Sequence, residues 1–475
     1  SMIFILLMSL MYLSFCTVNS CAASRAQTCS SCIRAGKDCS YCSDEGFSGS
    51  RCDLQENLRR FGCSERGIVF MKSEFLTKQN DKINTFESRS QVAPQSMSMR
   101  LRAGEETSFN LRVFEPLETP VDLYILMDFS HSMSDDLNNL KNMGQDLANV
   151  VSSLSKDYTI GFGKFVDKVS VPQTDMRPEK LKQPWLDSTP PFSFKNVIPL
   201  TSDVQYFRDE LMKEKISGNL DPPEGGFDAI LQTAVCTKQI GWRKGSTHLL
   251  VFSTESAFHY EADGVNVLDG ILKRNDEQCH LDLSGFYTHD TVQDYPSVPT
   301  LVRLLAKYNI IPIFAVTNHS YSYYEKLKDY FKVSEIGVLQ DDSSNIVHIL
   351  RDSFQKIRSR MDIRDDNTPR SMNISVSSDT VKLTETGLFQ VTRGEVGMFK
   401  VKVQALEKVG SQHIDTSVIC DMCPCELQKE LNSPKCNLNG NFVCGRCECK
   451  GQCCVYFSQL SMGQKAKAIA TGGLN

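Results

Sequence analysis

Long apolar runs, surplus basic charge and mid-chain cysteines are what this 475-residue chain lacks. Beyond a stretch near the start, no segment approaches the roughly 18 apolar residues that a membrane-crossing helix needs, so no membrane span is expected in the chain as written. A formal net charge of −5 supplies no broad basic field, which removes nucleic acid as an expected partner. Between Cys63 and Cys420 only Cys236 and Cys279 occur, so ordinary apolar cores must hold the middle together. No internal repeat or low-complexity segment is present. Hydrophobic residues at 41% and charged residues at 23% describe globular protein, and the length suggests about three or four domains.

Signatures of catalysis are also missing. There is no His-Glu-x-x-His pattern, and Gly161-x-Gly163-Lys164 lacks the third glycine and the Gly-Lys-Ser/Thr ending of a phosphate loop. It lies inside a strand pattern, where tight strand packing is the better reading. His131 stands between Ser130 and Ser132, but neighbours on one loop rarely face each other as base and nucleophile. The expectation is a binding protein, not an enzyme.

What is present begins with Ile3 to Phe15, an apolar run broken only by Ser9 and Ser14, which reads as the core of a secretory leader over residues 1–20. Setting Cys16 aside with that leader leaves 18 cysteines. Seven lie between Cys21 and Cys63, two are Cys236 and Cys279, and nine lie between Cys420 and Cys454. Small disulfide-stapled modules at both ends are expected. Zinc is the rival reading, because Cys29-x-x-Cys32, Cys39-x-x-Cys42 and Cys444-x-x-Cys447 have ligand spacing, but a secretory leader favours disulfides. Asn318-His-Ser320 and Asn373-Ile-Ser375 match the glycosylation pattern of the same compartment.

Strand-like alternation occupies Gly67 to Glu118 and returns from Lys382 to Leu406. Residues 119–361 differ. Continuous apolar strands at Val121 to Met127, Tyr158 to Val166, His248 to Phe252, Ile310 to Val316 and Ile336 to Leu339 alternate with amphipathic helices. The helices are expected at Asp136 to Ser155, Phe227 to Val235, Val298 to Tyr308 and Asn345 to Met361. This predicts a doubly wound parallel α/β sheet, inserted at a surface loop of a β-sandwich whose halves are the two strand-rich flanks.

In an open α/β sheet, ligands sit beyond the carboxyl ends of the strands. The first buried strand ends in Asp128-Phe-Ser130-His-Ser132, one carboxylate and two hydroxyls suited to magnesium. Alone this triplet is weak, since a helix-capping turn uses the same residues. Asp135 and Asp136 follow at the helix start, where the helix dipole also favours acids. Asn219-Leu-Asp221-Pro-Pro223-Glu224 forms an acidic, proline-braced loop, and Asp167 and Glu255 also fall at strand ends. Capping accounts for each singly but not for all at one sheet edge.

Four stretches in order resemble the integrin beta-chain family: Asp122 to Asp136, Gly161 to Lys168, Asp221 to Ile230 and Gly337 to Asn345. The resemblance covers about residues 21 to 450. It implies a plexin-semaphorin-integrin module (21–64), a hybrid domain in two halves (65–118 and 362–418), an inserted von Willebrand A-type domain (119–361) and the start of an epidermal-growth-factor-like stem (419–450). It also implies three metal sites. Asp128, Ser130, Ser132 and Glu224 hold a central Mg2+, with Glu255 where many relatives have aspartate. Asp135, Asp136 and the carbonyls of Ser132 and Asp341 hold one flanking Ca2+. Asp167, Asn219, Asp221, Glu224 and the Pro223 carbonyl hold the other.

Many members carry a small disulfide loop where this chain has Val171 to Asn196, without cysteine. That stretch and Ser253 to Tyr260 resemble the laminin-binding branch, which implies an alpha-6 subunit as partner, laminin as ligand, and hemidesmosome anchorage at the cell surface. Residues 451–475 resemble no integrin stem, so a soluble truncated form, or a secreted von Willebrand A-type binder with no alpha chain, is the alternative.

Parity constrains the disulfides further. Seven N-terminal cysteines cannot close on themselves, so one must reach the C-terminal cluster unless a thiol stays free. By resemblance the bridge is Cys29 to Cys423, with Cys420 as the next candidate, and Cys236 pairs with Cys279. A closed loop of roughly 390 residues is worth on the order of 5–6 kcal/mol in the chain-entropy account. Non-reducing peptide mapping should find an N-terminal cysteine peptide linked to one from Cys420 to Cys425. Cys29 alkylated as a free thiol in folded protein would refute this.

Overall fold

The computed structural model describes residues 19–87, 89–102, 104–266, 272–363, 372–405 and 423–449, with 365 and 368. The expected leader core, Cys420, Cys453, Cys454 and the atypical tail lie outside them.

At the centre is a six-stranded sheet. Its strands are β1 (Val121–Asp128), β2 (Tyr158–Phe165), β3 (Phe194–Thr201), β4 (Thr247–Thr254), β5 (Ile310–Thr317) and β6 (Glu335–Leu339), in the order β3-β2-β1-β4-β5-β6. All neighbours are parallel except the edge strand β3, which pairs antiparallel with β2. Every residue of β1 is buried. Leu123, Ile125 and Met127 feed one core and Tyr124 and Leu126 the other. Continuous apolar composition is what a strand covered on both faces requires.

One face is covered by α1 (Ser134–Asn142), α2 (Gly144–Leu154), α3 (Val204–Lys213) and α7 (Ile346–Ile357). The other is covered by α4 (Gly226–Val235), α5 (Val298–Lys307) and α6 (Tyr321–Lys328). Two helix expectations are corrected. The segment from Asp136 to Ser155 is two helices, because Met143 leaves helical geometry (φ −88°, ψ 3°) just before Gly144, the poorest helix former short of proline. The closing helix stops at Ile357, because Arg360 and Met361 become a short strand paired with Gln390 and Phe389 of the neighbouring sheet. The antiparallel edge strand β3 and helices α3 and α6 are additions.

The flanking segments meet each other. Glu106–Phe114 pairs antiparallel with Val396–Ala405 through nine residue pairs, from Val396 opposite Phe114 to Gln404 opposite Glu106. The first module has a core built largely of sulfur, with bonds Cys21–Cys39, Cys32–Cys52 and Cys42–Cys63. Cys29 is bonded to Cys423 with Cα atoms 5.9 Å apart, and Cys425–Cys444 and Cys436–Cys447 follow in the stem. Glu426 seals this junction by accepting from the Ser30 amide at 2.9 Å.

Gly161 and Gly163 let β2 lie close against Tyr124. A Cβ at Gly161 would sit 2.9 Å from the Ile198 carbonyl oxygen, and one at Gly163 would collide with the Tyr124 hydroxyl and lie 3.0 Å from Phe194. Gly163→Ala should therefore destabilise the central domain by about 1–3 kcal/mol through overpacking. Urea unfolding followed by tryptophan fluorescence would check it, and unchanged stability would refute it.

Candidate metal centre

The order of the sheet reverses between β1 and β4, and the acidic residues converge at the carboxyl ends of these two strands. Asp128 ends β1, fully buried. Its Oδ1 accepts from the Ser130 amide at 2.8 Å and its Oδ2 from the Thr254 hydroxyl, at the end of β4, at 2.7 Å. The Ser130 and Ser132 hydroxyls are 3.2 Å apart, and Ser132 also bonds Glu255. Ser132 is exposed and Glu255 half-buried, so the rim is open to solvent on that side.

Glu224 is brought to the same point by its loop. Its amide donates to Ala257 O at 3.0 Å, the next amide (Gly225) to Val166 O at 2.8 Å, and Phe227 stacks on Phe258. A Cβ at Gly225 would lie 2.7 Å from Asp167 Oδ1, so glycine is what allows this close approach. Burial raises Glu224 well above the usual carboxylate range, and the charges of Asp128, Asp167 and Asp221 add to it.

A second group lies at the start of α1. Asp136 is buried, with one oxygen bonded by the Ser343 hydroxyl and the other without a hydrogen-bond partner. Burial pushes it up to about 7 against the bond from Ser343, with Glu255 and Asp135 adding repulsion. Asp135 and Asp341 are exposed, and both repel Glu255. The 341–343 loop is held to α1 by Asn139, which donates to Asp342 O at 2.7 Å.

The third group comprises Asp167, Asn219, Asp221 and Glu224, with Pro223 part-exposed beside them. Asn219 donates to Glu224 Oε2 at 3.0 Å and to Asp221 Oδ1 at 3.2 Å. Sequence reasoning missed His259, whose Nε2 is 2.9 Å from Asp221 Oδ2 and 3.4 Å from Asp167 Oδ2. It also missed Thr254, Ser343 and Tyr295, the last donating to Asp167 Oδ1 at 2.6 Å. Burial pushes Asp167 up to about 7, moderated by the His259 charge. His259 is itself raised to about 9: burial opposes its charge, but Asp221 and Asp167 outweigh burial.

These residues fit hard divalent cations. Asp128 and Glu224 are both buried at one rim, and Asp136 Oδ2 and Asp167 Oδ2 are buried acceptors with no hydrogen-bond donor. Clustered carboxylates of this kind need a cation or a proton. The Asn318 and Asn373 side chains lie at exposed positions, and Cys236 is bonded to Cys279.

The pH dependence has one sign. Asp136 and Asp167 are raised from about 3.8 to about 7, so their stabilising protonation is complete below about 3.8 and lost as pH rises through 7. The His259 contribution is complete below about 6.5 and lost through about 9. Chelated protein should thus lose thermal stability from pH 5 to 9, and the gain in Tm on adding Mg2+ and Ca2+ should be larger at pH 8 than at pH 5.5. Calorimetry at the two pH values checks this, and equal gains would refute it.

Residues 116–361 match the Integrin beta chain VWA domain, residues 19–64 the Integrin plexin domain, and residues 425–452 the Integrin beta epidermal growth factor like domain 1. Among curated relatives, integrin beta-4 of Homo sapiens is 60% identical over 469 residues, covering 93% of this chain and 26% of that protein. Integrin beta-4 of Mus musculus is 60% identical over 455 residues, covering 91% and 25%. Integrin beta-1 of Gallus gallus is 36% identical over 471 residues, covering 90% and 58%. The chain therefore spans about a quarter of the length of its beta-4 relatives. With the matched VWA domain alone extending over more than half of its residues, the chain belongs to the integrin beta-chain family.

Proposed function

We propose that this chain is the head of an integrin beta-4-like adhesion receptor subunit. It pairs with an alpha subunit, alpha-6, and binds laminin at the cell surface, in hemidesmosome anchorage. The observation that carries the reading is the rim of Asp128, Ser130, Ser132, Glu224 and Glu255 at the switch point, open to solvent at Ser132. Asp128, Glu224 and the Ser130 and Ser132 hydroxyls would hold a Mg2+ there, and the ion would supply the attraction for an incoming carboxylate. The matrix ligand would present that carboxylate from the solvent side at Ser132. Asp135, Asp136 and Asp341 on one side, and Asp167, Asn219, Asp221, Glu224 and Pro223 on the other, would hold Ca2+ and so keep the central residues in place. No role in turnover is assigned to any of them, and Asn318 and Asn373 carry glycans.

Asp128→Ala should reduce laminin binding by the alpha-6 complex to background while circular dichroism and the melting profile of the domain are retained. Chelator should do the same to the unsubstituted complex, reversed by Mg2+. Full binding by folded Asp128→Ala protein would overturn the proposal.

A further inference from the structure

A cavity of about 630 Å³ lies at the start of the edge strand β3, and none of its lining residues belongs to the three acidic groups. Val169, Pro190, Pro191, Phe192 and Phe286 give it apolar walls. Small-molecule sites are of this kind, mostly apolar with a few placed polar groups. Backbone bonds fix the walls. The Thr189 amide donates to Ile216 O at 2.8 Å, and the Ser217 hydroxyl is 3.0 Å from the Thr189 and Pro190 carbonyl oxygens. The other lining segment is tied to β3, with the Tyr287 amide donating to Phe194 O at 2.9 Å and the Asn196 amide to Gly285 O at 2.8 Å.

The polar groups of the lining are mostly donors. Ser193 and Tyr287 are 3% and 5% exposed, and neither hydroxyl has a hydrogen-bond partner. Burial raises the Tyr287 phenol, and the charges of Asp228, Asp290 and Asp276 add to it, so it keeps its proton to donate. Lys164 is already neutralised by Glu214 and packs over the Phe129 and Phe192 rings at 5.2 and 4.9 Å. Lys195 lies over the Phe286 ring at 4.6 Å and has no carboxylate partner among the described residues. Asp290 is the one carboxylate in the lining, and its Oδ2 accepts from the Val169 amide at 3.1 Å. An ammonium without a counter-charge and two hydroxyls without partners call for an acceptor that carries negative charge. The proline and aromatic walls call for hydrocarbon.

We infer that this cavity binds an amphipathic organic carboxylate of the fatty-acid class. Its carboxylate pairs with Lys195 and accepts from Ser193 and Tyr287, while its hydrocarbon lies along Pro190, Pro191, Phe192 and Phe286. The site shares no residue with the metal groups and stands independently of the adhesive role.

Dodecanoate below its micelle concentration is the probe, with binding to the full disulfide-bonded chain counted by equilibrium dialysis. Saturable binding of a single molecule per chain is expected. Lys195→Met should weaken it about tenfold or more, whereas Lys195→Arg, which keeps the charge, should retain it. Tyr287→Phe and Ser193→Ala should each weaken it to a smaller degree. Dodecanol, with the same chain and no charge, should bind the unsubstituted protein roughly tenfold more weakly, a comparison that holds whether or not the variants fold. Acetate at equal concentration should not displace dodecanoate, and Asp128→Ala should leave its binding unchanged. No saturable binding, full affinity in Lys195→Met, dodecanol as tight as dodecanoate, displacement by acetate, or loss of binding in Asp128→Ala would each overturn the assignment.

Discussion

Repulsion among buried carboxylates is the constraint around which the head is organised. Asp128, Glu224, Asp167 and Asp136 are all withdrawn from water at one sheet edge, where each charge raises the cost of the next. The fold satisfies them only in part. Thr254 and Ser130 donate to Asp128, Ser343 to Asp136, and Tyr295 and Lys168 to Asp167, leaving one oxygen of Asp136 and one of Asp167 without a donor. Donors hold each carboxyl in place while its remaining electron pairs stay available to a cation.

Holding that arrangement requires stiff supports, and the structure supplies them near each group. Lys168, fully buried, is bonded to Asp228 at 2.6 Å and to the carbonyls of Asp290 and Gln293 at 2.8 Å, which ties the strand end carrying Asp167 to the 290s loop. Gln232 on α4 bonds the His280 amide and Gln278 O, beside the Cys236–Cys279 bond. Trp185, in the cysteine-free stretch before β3, stacks on His131 at 4.5 Å. Aromatic packing against the metal-edge loop thus constrains that stretch without a local disulfide.

The junctions of the inserted domain are equally specific. Arg360 bonds Glu335 at 2.7 Å, Arg358 donates to Leu117 O at 3.0 Å, and Arg393 donates to Arg358 O at 2.7 Å. Glu335 begins β6, whose far end leads to the Asp341 loop. The helix after that loop ends where the flanking sheet begins. The Asp341 loop and the Phe389–Gln390 strand are thus joined by one short segment, the closing helix and the Arg360–Met361 strand that follows it.

Much of this was legible in the residues. Periodicity and apolar runs placed five of the six central strands, because burial on both faces forces an unmistakable composition. The acidic loops stood out because strand ends of a doubly wound sheet share one edge. Other features depended on atoms far apart in the chain. A helix pattern cannot show that Met143 breaks its geometry, since the same apolar stripe continues on both sides. Nor can it show that Arg360 and Met361 pair with Phe389 and Gln390, which lie outside their own segment. His259 carried no motif: only the alignment of its segment beside Glu224 brings its ring to Asp167, 92 positions earlier in the chain, and to Asp221. Residue types and their order determined the layers and the edge where charge collects. Which oxygen and nitrogen atoms face one another was decided only by tertiary packing, because side-chain orientation depends on neighbours that local sequence does not specify.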